Sequence, residues 1–232
     1  PSARALAARV DAGAVTSTAP ASTSARAEPS PLGKFGHQAT RIDTGEVLAL
    51  VATTNGVRGF DWQGFAVESR DEALGAPTWT WESQSAVDDG TLPVPTEDDL
   101  DPYHANAVTW RDDDPDGPSV WVSLKAIQAL MRIDRTTGAI TLVGHDRGLT
   151  LTDPAGAPLP DDQWFWGQHA PWFEGDEVLI YDNGDSRDGP AWSRVARFRR
   201  DGPDRMSLLW QWTEPGWYEP FFGGGMPLSG GH

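Results

Sequence analysis

The chain has 232 residues, enough for one domain with a full core or for two small ones. Its 18 Lys and Arg against 34 Asp and Glu leave a formal charge of −16, which argues against phosphate-rich nucleic acid and anionic membrane surfaces as partners. There is no cysteine for a disulfide or thiolate site, and no apolar run approaches the roughly 18 residues of a membrane span.

Residues 1–30 are rich in Ala, Ser, Thr and Pro and carry no aromatic residue, so they read as a flexible low-complexity segment preceding a domain over 31–232. The start at Pro1 and the stop at His232 suggest a fragment or processed product whose signal peptide would have been lost. Only Lys34 and Lys125 among the 18 cations are lysines, so an anion would be met mainly by guanidinium forks. Asp112, Asp113, Asp114 and Asp116 read as a solvated acidic surface.

From Pro31 on, the apolar runs are short. VLALVA (47–52), SVWVSL (119–124), AITLVG (139–144), EVLIYD (177–182) and SLLWQW (207–212) have strand length, and Asp-Gly, Thr-Gly and Asn-Gly pairs punctuate the intervals. No window holds helical spacing for three turns. One unit recurs as strand, polar turn, strand: ATRIDTGEVLALV (39–51), LMRIDRTTGAITLV (130–143), VARFRRDGPDRMSLLWQW (195–212) and, degenerately, FAVESRDEALGAPTWTW (65–81). Such hairpins fit the outer two strands of β-propeller blades, which need neighbours to bury their faces. The expectation is therefore an all-β chain holding an incomplete set of about four to five blades. A β-sandwich with added hairpins is the alternative.

Three patches carry polar groups unusual for strands. DPYHANAV (101–108) holds His104 and Asn106. GQHAPW (167–172) holds Gln168, His169 and Trp172, followed by Asp182-Asn183-Gly184. Trp192-Ser193-Arg194 is the third. In a propeller the innermost strands line a channel, which would bring His104 and His169 to one mouth. Each has a plainer reading as a loop histidine, a turn residue or a surface cation. Trp79, Trp81, Trp210 and Trp212 read as core, whereas Trp164, Trp166, Trp172, Trp217 and Tyr218 stay open as site walls. His37 and His145 read as surface residues.

The order of these motifs, with WQW (210–212) and WYEPFFGG (217–224) after them, resembles the bacterial arylsulfate sulfotransferase family over about 100–222, and more loosely back to about 40. The resemblance implies a six-bladed β-propeller, exported to the periplasm or cell surface. It further implies transfer of a sulfuryl group from a phenolic sulfate ester to a phenol through a transiently sulfated histidine, with no nucleotide sulfate donor, cofactor or metal. His104 and His169 match active-site histidines and Arg194 the sulfate-binding arginine, with Arg187 as the alternative for the latter. Asn106, Gln168, Asn183, Trp172 and Tyr218 would line the substrate. The sulfated histidine should follow the arginine, where this chain offers only His232. On this reading Arg194→Ala would abolish transfer and leave the fold intact.

Two other function classes stay open. One is a non-catalytic propeller binding a small aromatic or anionic ligand, or a protein. The other is metal-dependent hydrolysis with His104, His169 and Asp182 as ligands, against which the lack of any close His-x-His pair counts. The sequence specifies neither the phenols nor the oligomeric state.

Overall fold

The computed structural model describes residues 35–42, 45–57, 59–71, 73–185 and 187–226. The segment 1–30, His232 and the side chain of His37 fall outside this description. The described chain is all-β apart from short helical turns, in three sheets. β1 (Phe35–Arg41), β2 (Val47–Val57), β3 (Phe60–Arg70) and β4 (Trp79–Glu82) form a four-stranded antiparallel meander, and so do β5 (Ala105–Arg111), β6 (Ser119–Leu124), β7 (Ala129–Asp134) and β8 (Ile140–Gly144). The third sheet runs β10 (His169–Glu174), β11 (Glu177–Asp182), β12 (Arg194–Arg200), β13 (Arg205–Trp212). On its far edge β9 (Thr150–Thr152) lies parallel to β13.

Three sheets, rather than four or five blades, therefore account for the described residues. The hairpins 130–143, 195–212 and 65–81 are indeed the third and fourth strands of their sheets. The copy at 39–51 is instead β1–β2, the first two strands of the sheet that 65–81 completes. A strand-turn-strand pattern marks an antiparallel pair without saying where in a sheet the pair sits.

The middle sheet is covered on both faces, which is why SVWVSL lacks the usual apolar-polar alternation. Val120, Val122 and Leu124 pack with Leu48, Leu50, Phe65 and Trp81 of the first sheet. The intervening Trp121 points the other way, to Val178, Ile180, Ala196 and Phe198 of the third. The tryptophans follow the same geometry. Trp81 is buried, but Trp210 and Trp212 are about half exposed, correcting their expected place in the core. They pair with Arg197 and Val195 on the face of the third sheet that points away from the middle one.

One of the four aspartates expected on the surface is also inside. Asp114 is 5% exposed and accepts from Ser119 Oγ (2.7 Å), Trp121 Nε1 (2.8 Å) and Arg132 Nε (3.2 Å). Burial alone would raise its pKa, but those hydrogen bonds and the Arg132 charge outweigh it and hold the carboxyl well below the usual range. The helix α1 (Ser83–Asp88) was not legible as a period, since six residues cannot repeat one. It docks through Ser83, whose Oγ accepts from Phe65 N–H (3.0 Å) and Asn55 Nδ2 (3.1 Å).

The first strands of the three sheets lie side by side, β5 between β1 and β10. β10 is an edge strand whose carbonyls need donors from elsewhere. Side chains of β5 supply them within the strand and at its two flanks: Thr109 Oγ1 to Pro171 O (3.2 Å), Asn106 Nδ2 to Gln168 O (2.8 Å) just before it and Arg111 Nη2 to Gly175 O (2.5 Å) just after it. The middle sheet closes tightly at Gly144, where a Cβ would stand 2.4 Å from the Gln128 carbonyl oxygen and 2.8 Å from Ala129 Cα. Backbone cannot yield there, so Gly144→Ala is expected to lower stability by about 1–3 kcal/mol, read from the urea midpoint.

Candidate functional site

β5 and β10 begin alike. Each carries a bulge in its first residues, between Ala105 and Ala107 and between His169 and Trp172, and each has a left-handed non-glycine residue there, His104 (φ 45°) and Ala170 (φ 45°). Such a conformation costs on the order of 1–3 kcal/mol and is kept only where the surroundings enforce it. His104 is locked from its own turn, since its N–H donates to Asp101 Oδ1 (3.2 Å) and its ring Nδ1 lies 2.8 Å from Asp101 Oδ2.

Asn106 and Gln168, expected against substrate, stitch the sheets together instead. Gln168 O accepts from Asn106, and Gln168 Nε2 donates to Ala129 O (2.8 Å), Leu124 O (3.2 Å) and Ser123 Oγ (3.3 Å). The residue before His169 is thus pinned to the strand that begins just after His104, and the two histidines become neighbours at adjacent strand starts.

His169 is 8% exposed, and its Nδ1 sits 2.6 Å from Asn183 Oδ1 and 3.3 Å from Gly167 O. Burial pushes its pKa below the ordinary value, as do the charges of Lys125 and His104, while the Asn183 and Gly167 contacts oppose the shift. A buried neutral imidazole results. Lys125 was missed as a site residue. Its N–H donates to His104 O (3.2 Å), and its ammonium contacts Asp185 Oδ2 (2.8 Å) and Pro220 O (3.2 Å). The signal available was one of only two lysines standing directly after an apolar strand run.

The segment 213–226 straps over this region. Ser193 organises it, donating from Oγ to Asn183 O (2.8 Å) while its N–H donates to Trp217 O (2.9 Å) and its Oγ accepts from Glu219 N–H (2.8 Å). The Gly-rich run lets the strap lie flat. At Gly223 (φ 154°) a Cβ would fall 2.1 Å from the Tyr181 ring, so only glycine can cross it.

Arg194 is placed differently from expectation. It is fully buried, and each of its five N–H groups has a protein acceptor: Nε to Asp182 Oδ2 (2.8 Å), Nη1 to the Gln211 (2.6 Å) and Gln163 (3.4 Å) side chains, Nη2 to the carbonyls of Gln163 (2.6 Å) and Trp164 (3.0 Å). No donor remains for a sulfate oxygen in this geometry. Arg187 is buried beside it and contacts Asp182 Oδ2 (2.8 Å), the Trp164 carbonyl (3.2 Å) and the Asp162 carbonyl, but its Nε has no hydrogen-bond partner among the described residues. Asp182 in turn is saturated, since its Oδ1 accepts from Trp166 N–H (2.8 Å) and Gly184 N–H (3.2 Å). With every lone pair engaged it cannot serve as the metal ligand considered from sequence, and no cluster of metal-ligating side chains occurs among the described residues.

The aromatic residues do not gather in one place. Trp164 and Trp166 belong to His145, which lies 4.9 and 4.7 Å from their rings and contacts Asp146 (3.0 Å); His145 is thus packed rather than a bare surface residue. Trp172 is about half exposed and lines a groove with Leu179 and Arg197, and Tyr218 is exposed to a similar degree on the strap. Trp212, Trp217 and Tyr181 form a chain of ring contacts at 5.0 and 5.6 Å.

A comparison with protein-family models matches residues 23–223 to Arylsulfotransferase (ASST). No curated protein and no solved structure matches the chain.

Proposed function

The chain belongs to the arylsulfotransferase family, and we propose that it transfers a sulfuryl group from an aryl sulfate to a phenol at the mouth formed by His104, His169 and Lys125. The observation that carries this reading is the meeting of the two histidines at equivalent bulged starts of adjacent strands, the place where blades of a propeller converge. Three meander sheets with their first strands side by side support a propeller domain over 31–232. An extracytoplasmic location follows from the family reading, and no described helix is long and apolar enough to cross a membrane.

The roles follow from chemistry. A neutral imidazole at His169 accepts the proton of the acceptor phenol as the phenol oxygen bonds to sulfur. The electrons of the breaking bond leave with the sulfuryl carrier, either the donor phenolate or a sulfated imidazole. The family implies such a histidine after Arg194, and His232 is the candidate at that place in the chain. Lys125 supplies positive charge to the sulfuryl oxygens with the His104 ring beside it, while Trp172 and Tyr218 offer aromatic walls. Arg194 braces the wall through Asp182 and the 163–164 carbonyls rather than touching sulfate.

Phenol release from 4-nitrophenyl sulfate tests this directly. Release that depends on an added acceptor phenol is the expected result. Silence in the presence of acceptor, with saturable binding of the aryl sulfate, would replace it with a ligand-binding role.

A further inference from the structure

We infer that Asn183 is a positioning residue that holds His169 in the Nδ1–H tautomer and so keeps the lone pair on Nε2. Resting on the proposed transfer reaction, this makes Nε2 the atom that takes the phenol proton.

The direction of the Asn183 amide is decided by its partners. Its Nδ2 donates to Glu219 O (2.7 Å) and Phe222 O (3.2 Å), two carbonyls that can only accept. Turning the amide over would set its oxygen against both. Oδ1 is therefore the atom facing His169, and at 2.6 Å from Nδ1 it requires the proton to sit on the ring nitrogen. The carbonyl of Gly167, 3.3 Å from the same nitrogen, asks for the same proton. Nε2 has no hydrogen-bond partner among the described residues. Burial is what most disfavours a second proton on His169, and the charges of Lys125 and His104 add to it, while the contacts to Asn183 and the Gly167 carbonyl oppose it without reversing the direction.

The arrangement places a neutral amide where many enzymes place a carboxylate behind the imidazole. A carboxylate would make the ring more basic and charge it. The amide fixes the tautomer and leaves the ring neutral. The choice is set from the strap, because the carbonyls that orient Asn183 belong to Glu219 and Phe222.

The test is ¹⁵N NMR of His169 in the full chain, together with transfer kinetics, for the wild type, Asn183→Leu and Asn183→Asp. The wild type is expected to show a protonated Nδ1 and a bare Nε2. Asn183→Leu should lose that tautomer preference, with kcat down about 100-fold and KM within about 3-fold. Asn183→Asp should keep the tautomer but raise the His169 pKa and move the acid limb of the pH profile upward. A wild-type ring protonated at Nε2 would overturn the inference, as would an unchanged tautomer and kcat in Asn183→Leu. The expected tautomer in a wild type that transfers nothing would support the positioning role and sink the transfer reaction alone.

Discussion

Replacing Asp182 with leucine is expected to lower the unfolding free energy by about 4 kcal/mol, a large part of what a domain of this size possesses. Asp182 is, among the described residues, the one carboxylate bonded to both Arg187 and Arg194, at 2.8 Å each, and all three side chains are buried. Removing it strands two guanidinium charges in the interior, where the third sheet meets the 162–164 segment. Asp182→Asn keeps two acceptor lone pairs but loses the charge, so it should fall between leucine and the wild type. Arg194→Ala should also destabilise, rather than leave the fold intact, because it empties the volume of a large buried side chain and abandons the Gln163 and Trp164 carbonyls. Urea titration with a tryptophan signal reads all three. An Asp182→Leu midpoint equal to that of the wild type would show that the cluster contributes nothing to stability.

His169→Ala is expected to cut acceptor-dependent transfer about 1,000-fold while lowering the unfolding free energy by only about 1–3 kcal/mol, the cost of leaving the buried Asn183 Oδ1 unpaired. In the wild type, activity should hold down to a pH below the ordinary histidine value of about 6.5, because burial depresses the folded pKa. The sign for stability is the same. Below about pH 6.5 the unfolded chain binds a proton that folded His169 refuses, so this contribution is complete above that pH and declines as the pH falls through the folded pKa. An acid limb lying above 6.5 would mean that another group, or a charged His169, limits the reaction.

Much of this was readable in the chain. The strand runs and the hairpin pattern mark β6 to β8 and β11 to β13 because local pattern and packing agree there. His104 and His169 stood out because each precedes such a run. What stayed hidden depends on distant partners. Arg194 looked available because nothing in Trp-Ser-Arg discloses that carbonyls about 30 residues upstream take its donors. Trp164 and Trp166 stayed open as site walls because they lie near His169 in sequence, yet the segment before β10 sets their rings against His145. Trp210 and Trp212 looked like core because their residue type favours burial, and the orientation of β13 decided otherwise.

The strap over the site belongs to no strand, and its anchors are a handful of hydrogen bonds through Asn183, Ser193 and Lys125. Segments of that kind open far more readily than the sheets beneath them. When 219–222 lifts away, Asn183 loses both carbonyls that orient its amide, and His169 loses the instruction about which nitrogen bears its proton. On the proposed reaction, local fraying would disarm the molecule with every sheet still folded, because a chain with its strap undocked no longer orients the amide behind His169.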